Sequence, residues 1–333
     1  MNRNSEKIAV ILLNLGAPES LDDIKPFLYN LFSDPDIIDL PMGKILRPIL
    51  AWNITRKRLP ESTNIYEKIG GGSPLRALSQ KQAEVLEFKL SENGDFKVYI
   101  AMRYWHPFTE SVVEKMSETG INKAILLPLY PQYSITSTGS SLHEFERVIK
   151  RRKDSEIEFR LIHDYHDFHP YIDALTERLL EGIEKFDGVG DEDLHLLFSA
   201  HGVPLSVIEK GDPYENQVRT TVNLVMSNLE NKYHHSISFQ SRVTKVEWLT
   251  PATDKIIPEL GKNGVKNLLV IPVAFVNDHS ETLFELGIFN RDLALKAGIK
   301  RYEVMPALND SPKFISALSE LVLQMTESWD GTN

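Results

Sequence analysis

The sequence predicts an α/β protein made of two similar lobes, each a four-stranded parallel sheet flanked by helices. Short apolar runs bounded by turn residues alternate with helical stretches along all 333 residues, a pattern typical of buried parallel strands. The predicted strands are Ile8–Leu15, Lys97–Arg103, Ala124–Tyr130, Glu158–His163, Leu194–Ala200, Ile237–Arg242, Leu268–Val276 and Tyr302–Ala307.

The two halves of the chain repeat one another. In each half the second run ends in arginine (Arg103, Arg242), and the third contains a proline (Pro128, Pro272). We therefore expect an N-terminal lobe over 1–165, a C-terminal lobe over 166–310 and a helix over 311–333 that packs back on the first lobe. Amphipathic patterns predict further helices at Ser20–Phe32, at Tyr171–Ile183 and at Leu75–Leu90, the last opened by Ser73 and Pro74.

Composition excludes several classes of function. The net charge of −10 argues against a nucleic-acid partner, because affinity for phosphates depends on Lys and Arg. The chain has no cysteine, so thiolate zinc sites, iron–sulfur clusters and cysteine nucleophiles are not expected. Any metal must be held by His, Asp, Glu, Tyr or backbone oxygen, and a reducing cytoplasm fits this composition.

Ligands of open α/β sheets bind beyond the carboxyl ends of the strands, so the residues that end each run are the first candidates for a binding site. Arg103 is followed by Tyr104, Trp105 and His106, a cation beside aromatic rings that suits a flat apolar ligand carrying carboxylates. The third run leads through Tyr130 and Ser134 into the hydroxyl-rich segment 136–141, which can hydrogen-bond such carboxylates or simply cap a helix.

Two further strand ends are followed by residues that can accept protons or bind a metal. His201 follows the fifth run between small residues, which leaves the imidazole open to accept a proton or bind a metal. Asp278, Glu281 and Glu285 lie near His279 at helical spacing and form an acidic file suited to a cation such as Fe²⁺. The alternative is an ordinary helix N-terminus with acidic residues in its first turn.

Together these segments resemble the ferrochelatase family. The resemblance runs through nearly the whole chain, and the residues that carry it are LLNLGAPES, GGGSPL, RYWHP, LYPQYS, TGSS, FSAHGVP, FQSRVTKVEWLTPATD and FVNDHSETLFELG.

The resemblance implies two Rossmann-like lobes that clamp a porphyrin, with His201 and Glu281 as the catalytic and metal-side pair. It implies that Asp278, His279 and Glu285 relay protons or metal. The implied porphyrin contacts are Leu15, Arg103, Tyr104, Tyr130, Ser134, Trp248 and Phe275.

The implied reaction inserts Fe²⁺ into protoporphyrin IX, the last step of haem synthesis, with iron as substrate, no permanently bound cofactor and no iron–sulfur cluster. We expect a cytoplasmic monomer or weak homodimer that contacts the inner membrane through 36–60, a segment that fits an ordinary packed amphipathic helix equally well. A chelatase for cobalt or nickel and a non-catalytic haem carrier are the alternative functions.

Overall fold

The computed structural model describes residues 7–37, 43–152, 157–241, 246–327 and 329. They divide into two compact units. The first contains the described residues of Met1–Tyr130, Ser134–Asp164 and Ile315–Asn333, and the second contains Pro131–Tyr133 and Tyr165–Phe314.

The first unit is organised around a four-stranded parallel sheet of order β2-β1-β3-β4. Its central strand is apolar and completely buried from Ala9 to Leu12, as expected when helices cover both faces of a parallel sheet. The strands are β1 (Ile8–Asn14), β2 (Phe96–Met102), β3 (Lys123–Pro128) and β4 (Glu158–Leu161).

Helices lie between these strands in the chain. They are α1 (Ile24–Phe32), α2 (Gly43–Lys68), α3 (Leu75–Leu90), α4 (Thr109–Glu118) and α5 (Ser140–Arg151), with a 3₁₀ turn at Leu21–Asp23 and a short π-helix at Ile135–Gly139. The C-terminal helix α11 (Pro312–Glu327) belongs to this unit from Ile315 onward.

The second unit repeats this topology with a parallel sheet of order β6-β5-β7-β8. Its strands are β5 (Leu194–His201), β6 (His234–Gln240), β7 (Asn267–Pro272) and β8 (Arg301–Val304). Its helices are α6 (His169–Glu184), α7 (Leu205–Glu209), α8 (Tyr214–Asn228), α9 (Thr253–Lys262) and α10 (Arg291–Lys296), with a 3₁₀ turn at Asp191–Asp193 and a π-helix at Glu281–Asn290.

The predicted fold class is confirmed, and the corrections concern element ends. β3 and β7 stop at Pro128 and Pro272, because proline has no N–H to continue a ladder. Helix α3 spans Leu75–Leu90 as predicted, but its cap position is Pro74 and not Ser73, whose hydroxyl accepts the Leu75 N–H at 3.3 Å. Arg242, the predicted end of the sixth strand, lies outside the described residues.

A half-buried histidine makes the second sheet sensitive to acid. His195 on β5 is in register with His234 on β6, and its Nε2 lies 2.9 Å from the Ser236 hydroxyl. Burial, and then the charges of His234 and His235, lower its pKa to about 4. The unfolded chain therefore binds a proton between about pH 6.5 and pH 4 that the folded chain does not, so stability falls as pH drops through this window.

We expect His195→Asn to remove part of this acid sensitivity. Between pH 7.5 and pH 5, urea unfolding should show a loss of stability smaller than in the wild type by about 1 to 2 kcal/mol, a value discounted for partial exposure. The control is the same change at His169, an exposed histidine of the same unit. Equal pH dependence in the wild type and His195→Asn would contradict this prediction.

Candidate functional site

The candidate catalytic histidine ends the central strand of the second sheet. His201 is the last residue of β5, and its side chain is 38% exposed. A Cβ on the next residue, Gly202, would lie 2.7 Å from the Gln240 carbonyl oxygen and 3.4 Å from the Trp248 ring. The small residue after His201 is therefore required by close packing, and the same packing places Trp248 beside this strand end.

His201 forms a close pair with the first residue of the second π-helix. Its Nδ1 lies 2.9 Å from Glu281 Oε2. Burial alone would lower the pKa of His201, but the charge and hydrogen bond of Glu281 outweigh it and raise that pKa. Burial alone would raise the pKa of Glu281, but the His201 cation outweighs it and the pKa falls to about 2. The two groups therefore form an ion pair.

Ser241 links this pair to a second carboxylate. Its hydroxyl lies 2.7 Å from Glu281 Oε2 and also contacts Glu285 Oε2, while its N–H donates to Glu285 Oε1 at 2.9 Å. Burial, and then the charge of Glu281, raise the pKa of Glu285 to about 6. One hydroxyl has one proton, so a protonated Glu285 completes the set by donating to Ser241, which in turn donates to Glu281.

Side chains behind and beside Glu281 hold it in place. The Gln240 amide oxygen accepts a hydrogen bond from the buried Ser199 hydroxyl at 2.7 Å, which directs its nitrogen toward Glu281 at 3.5 Å. His279 donates from Nδ1 to the Asn277 carbonyl at 3.0 Å, and its Nε2 lies 3.9 Å from Glu281 Oε1.

An aromatic ring lies against both imidazoles of the site. The Phe275 ring centroid is 6.3 Å from that of His201 and 4.8 Å from that of His279. Phe275 and Trp248 therefore give this end of the sheet apolar surfaces next to the His201–Glu281 pair.

Asp278 does not join the predicted acidic file. Its carboxylate accepts hydrogen bonds from the Thr282 hydroxyl at 2.9 Å and from the Asn309 amide at 2.8 Å. The physical reason is that the helix begins only at Glu281 and has π geometry, so the α-helical spacing used for the prediction does not apply across residues 278 to 281. The structure brings together Glu281 and Glu285, with Asp278 in a separate cluster.

In the first unit, Arg103 and Tyr104 are engaged internally. Arg103 is 16% exposed, its Nη2 lies 3.0 Å from Asp34, and its Nε donates to the Ser140 hydroxyl at 2.8 Å. Tyr104 is 1% exposed, and burial followed by the charge of Asp34 raises the pKa of its phenol. A buried carboxylate therefore already pairs with Arg103, and contact of Arg103 with a porphyrin carboxylate stays a prediction.

The remaining predicted porphyrin contacts also lie in the first unit. Leu15 is half-buried, and its carbonyl accepts the Tyr104 N–H at 2.9 Å. The Tyr130 hydroxyl is enclosed, and burial raises its pKa. Ser134 is buried and caps the first π-helix by accepting the Thr136 N–H at 3.2 Å. Most of the predicted hydroxyl-rich loop is thus folded into this π-helix.

Sequence reasoning missed Asp34, Gln240 and Ser241. The signal for Gln240 and Ser241 was present, because Gln240 is the last residue of β6 and Ser241 follows it, but the strand was expected to continue to Arg242. Asp34 comes after α1 and carried no local signal.

Comparison with known proteins decides the family. The ferrochelatase family model matches residues 7–326. The chain belongs to the ferrochelatase family. It is 46% identical to the ferrochelatase of Gloeobacter violaceus over 96% of this chain and 97% of the relative. It is 45% identical to the ferrochelatase of Synechococcus sp. strain JA-3-3Ab over 95% of this chain and 93% of the relative.

Solved structures show the same fold at low sequence identity. SirB from Bacillus subtilis, solved with Fe³⁺, matches with a TM-score of 0.56 and 14% identity over 98% of each chain. The sirohydrochlorin chelatase SirB from Bacillus subtilis subspecies spizizenii, in complex with cobalt, matches with a TM-score of 0.55 and 12% identity over 98% of each chain. These likenesses confirm the two-lobed chelatase fold of this ferrochelatase family member.

Proposed function

We propose that the chain is a lyase that inserts Fe²⁺ into protoporphyrin IX to form protohaem, the last step of haem synthesis, and that His201 and Glu281 perform the chemistry. Family membership supports the reaction. The observation that carries the residue assignment is the 2.9 Å pair of His201 and Glu281, linked through Ser241 to Glu285 at the carboxyl end of the sheet. Iron is a substrate in this scheme, and no resident cofactor is required.

The reaction exchanges two pyrrole protons for one Fe²⁺. In the neutral imidazole of His201, Nδ1–H donates to Glu281 and Nε2 carries the free lone pair. The form that accepts a pyrrole proton is therefore the one reached when the ion pair has lost its Nε2 proton. Glu281 stabilises the imidazolium that results. The hydrogen-bonded chain from His201 through Glu281 and Ser241 to Glu285 then provides a route by which protons leave the ring.

Apolar surfaces supply the other requirement of the reaction. A planar porphyrin presents its nitrogens poorly to a metal, so an enzyme gains rate by favouring a distorted ring. Trp248 and Phe275 lie beside His201 and are proposed to press on the macrocycle. For Leu15, Tyr104 and Tyr130 of the first unit, contact with the ring stays a prediction implied by the family resemblance.

Metal preference tests this function against a cobalt or nickel chelatase and against a haem carrier. Purified protein is incubated anaerobically with Fe²⁺, Co²⁺ or Ni²⁺ and protoporphyrin, and initial rates are read from the porphyrin spectrum. The proposal predicts the highest rate with Fe²⁺. Faster insertion of Co²⁺ or Ni²⁺ would support the alternative chelatase, and tight porphyrin binding without insertion of any metal would support the carrier.

We further propose that α2 rests on the cytoplasmic face of the membrane. Leu46, Ile49 and Trp52 are 49%, 61% and 49% exposed at intervals of three residues, and the Arg56 guanidinium lies 5.7 Å from the centre of the Trp52 ring. Apolar side chains beside cations suit an anionic lipid surface. None of the described helices is long and apolar enough to span a bilayer, and residues 38–42 of the predicted contact lie outside the described part of the chain.

Trp52→Glu should weaken binding to vesicles of phosphatidylglycerol and phosphatidylcholine by about tenfold, because it replaces an apolar contact with a repelled charge. Co-sedimentation measures the bound fraction. Phe88→Glu is the matched control, since Phe88 is a 75% exposed aromatic residue of α3 in the same unit. Equal binding by the wild type and Trp52→Glu would contradict contact through α2.

A further inference from the structure

One buried carboxylate ties together three segments of the first unit. The Asp34 side chain is 0% exposed and follows α1. It accepts hydrogen bonds from the Tyr104 hydroxyl at 2.5 Å, just after β2, and from the Ser140 hydroxyl at 2.5 Å, at the start of α5. Its other oxygen accepts the Asp36 N–H at 3.0 Å. A buried carboxylate this fully bonded holds its partners in one arrangement.

The same carboxylate cancels the charge of Arg103. The guanidinium lies 3.0 Å from Asp34 through Nη2 and 3.8 Å from Glu144 through Nη1. Glu144 also binds Arg147 through both of its oxygens. Two guanidinium groups therefore face two carboxylates, and the formal charges of these four side chains cancel.

We propose that Asp34 is a positioning residue that also determines substrate specificity. The Asp34 carboxylate holds Arg103 and Tyr104 in place and cancels the charge of the Arg103 guanidinium. The surface formed by Arg103 and Tyr104 therefore does not attract porphyrins that carry additional carboxylates. The inference rests on the proposed function and on the expectation, implied by the family resemblance, that Arg103 and Tyr104 contact the porphyrin. It predicts that the enzyme selects a ring with two carboxylates over one with four.

The test raises the charge of the cluster by one unit in two independent ways, Asp34→Asn and Glu144→Gln. The ratio of kcat/KM for coproporphyrin III, with four carboxylates, to kcat/KM for protoporphyrin IX, with two, is measured with Zn²⁺ as the inserted metal. Each variant should shift this ratio toward the four-carboxylate ring by about threefold to tenfold, as expected for a partly screened charge.

Asp36→Asn is the matched control. It also removes one negative charge, but Asp36 pairs with His143 at 2.9 Å and has no contact with Arg103 among the described interactions. The ratio should stay at the wild-type value. A purely structural role of Asp34 would lower stability without moving the ratio, so thermal unfolding is measured alongside.

A wild-type ratio in both Asp34→Asn and Glu144→Gln would overturn the inference. If Asp34→Asn fails to fold, Glu144→Gln alone decides, because Glu144 lies on a helix at 15% exposure and not in the buried centre of the cluster. Arg103→Gln separates this inference from the proposed function. An unchanged KM for porphyrin in Arg103→Gln would show that the Arg103 side chain does not contact the substrate.

Discussion

His201→Ala should lower kcat for Fe²⁺ insertion about 10³-fold, within the range that a positioned acid–base group contributes. The variant removes the imidazole proposed to take protons from the pyrrole nitrogens. It also leaves Glu281, whose pKa is held at about 2 by that imidazole, without its main partner. The fold should persist, because His201 ends a strand and its side chain is 38% exposed.

Initial rates of insertion measured under anaerobic conditions test this expectation. The porphyrin KM should change much less than kcat, and added imidazole should restore part of the rate by occupying the space of the missing ring. His169→Ala, which alters an exposed histidine of the same unit, is the control and should keep the wild-type rate. Insertion by His201→Ala at more than about a tenth of the wild-type rate would remove His201 from the mechanism.

Ser241→Ala should reduce kcat by about tenfold to a hundredfold, because it removes the hydroxyl that links Glu281 to Glu285. Without it, two carboxyl groups face each other with no shared donor, and an unpaired buried group of this kind costs on the order of 1–3 kcal/mol. The proposed proton route is also cut at this point.

The variant Ser241→Gly separates the effect of losing the hydroxyl from the effect of backbone strain. Ser241 has a φ of +65°, in the left-handed region that favours glycine. Ser241→Gly should therefore be more stable than Ser241→Ala by about 1 kcal/mol, since both variants lose the hydroxyl but only glycine relieves the backbone strain, and its activity should be as low as that of Ser241→Ala. Wild-type activity in either variant would show that the hydroxyl is not part of the route.

The strands could be predicted because each one is determined by neighbouring residues in the sequence. A strand buried on both faces is an uninterrupted apolar run, and runs such as Val10 to Leu13 and Leu268 to Ile271 stand out in the sequence. The predicted end of the fifth strand lies one residue from the observed end of β5, so His201 was found by the rule that ligands bind beyond strand ends, whereas Phe275 was named through the family resemblance.

The missed features depend on backbone geometry or on distant partners. The π-helix at Glu281–Asn290 has no residue signature that separates it from an α-helix, and this is why Asp278 was placed in the acidic file. Ser241 adopts a positive φ that serine rarely prefers. Asp34 meets Tyr104 from seventy positions earlier in the chain, so no local pattern links it to the Arg103 cluster.

The most direct test of the central claim is anaerobic incubation of the purified protein with protoporphyrin and Fe²⁺, beside the Glu281→Ala variant, while the porphyrin spectrum is followed. The account predicts that the wild type converts the free-base spectrum to that of the iron porphyrin and that Glu281→Ala binds the ring but leaves it unmetallated. Ring binding without metallation by the wild type, or metallation by Glu281→Ala at the wild-type rate, would contradict it.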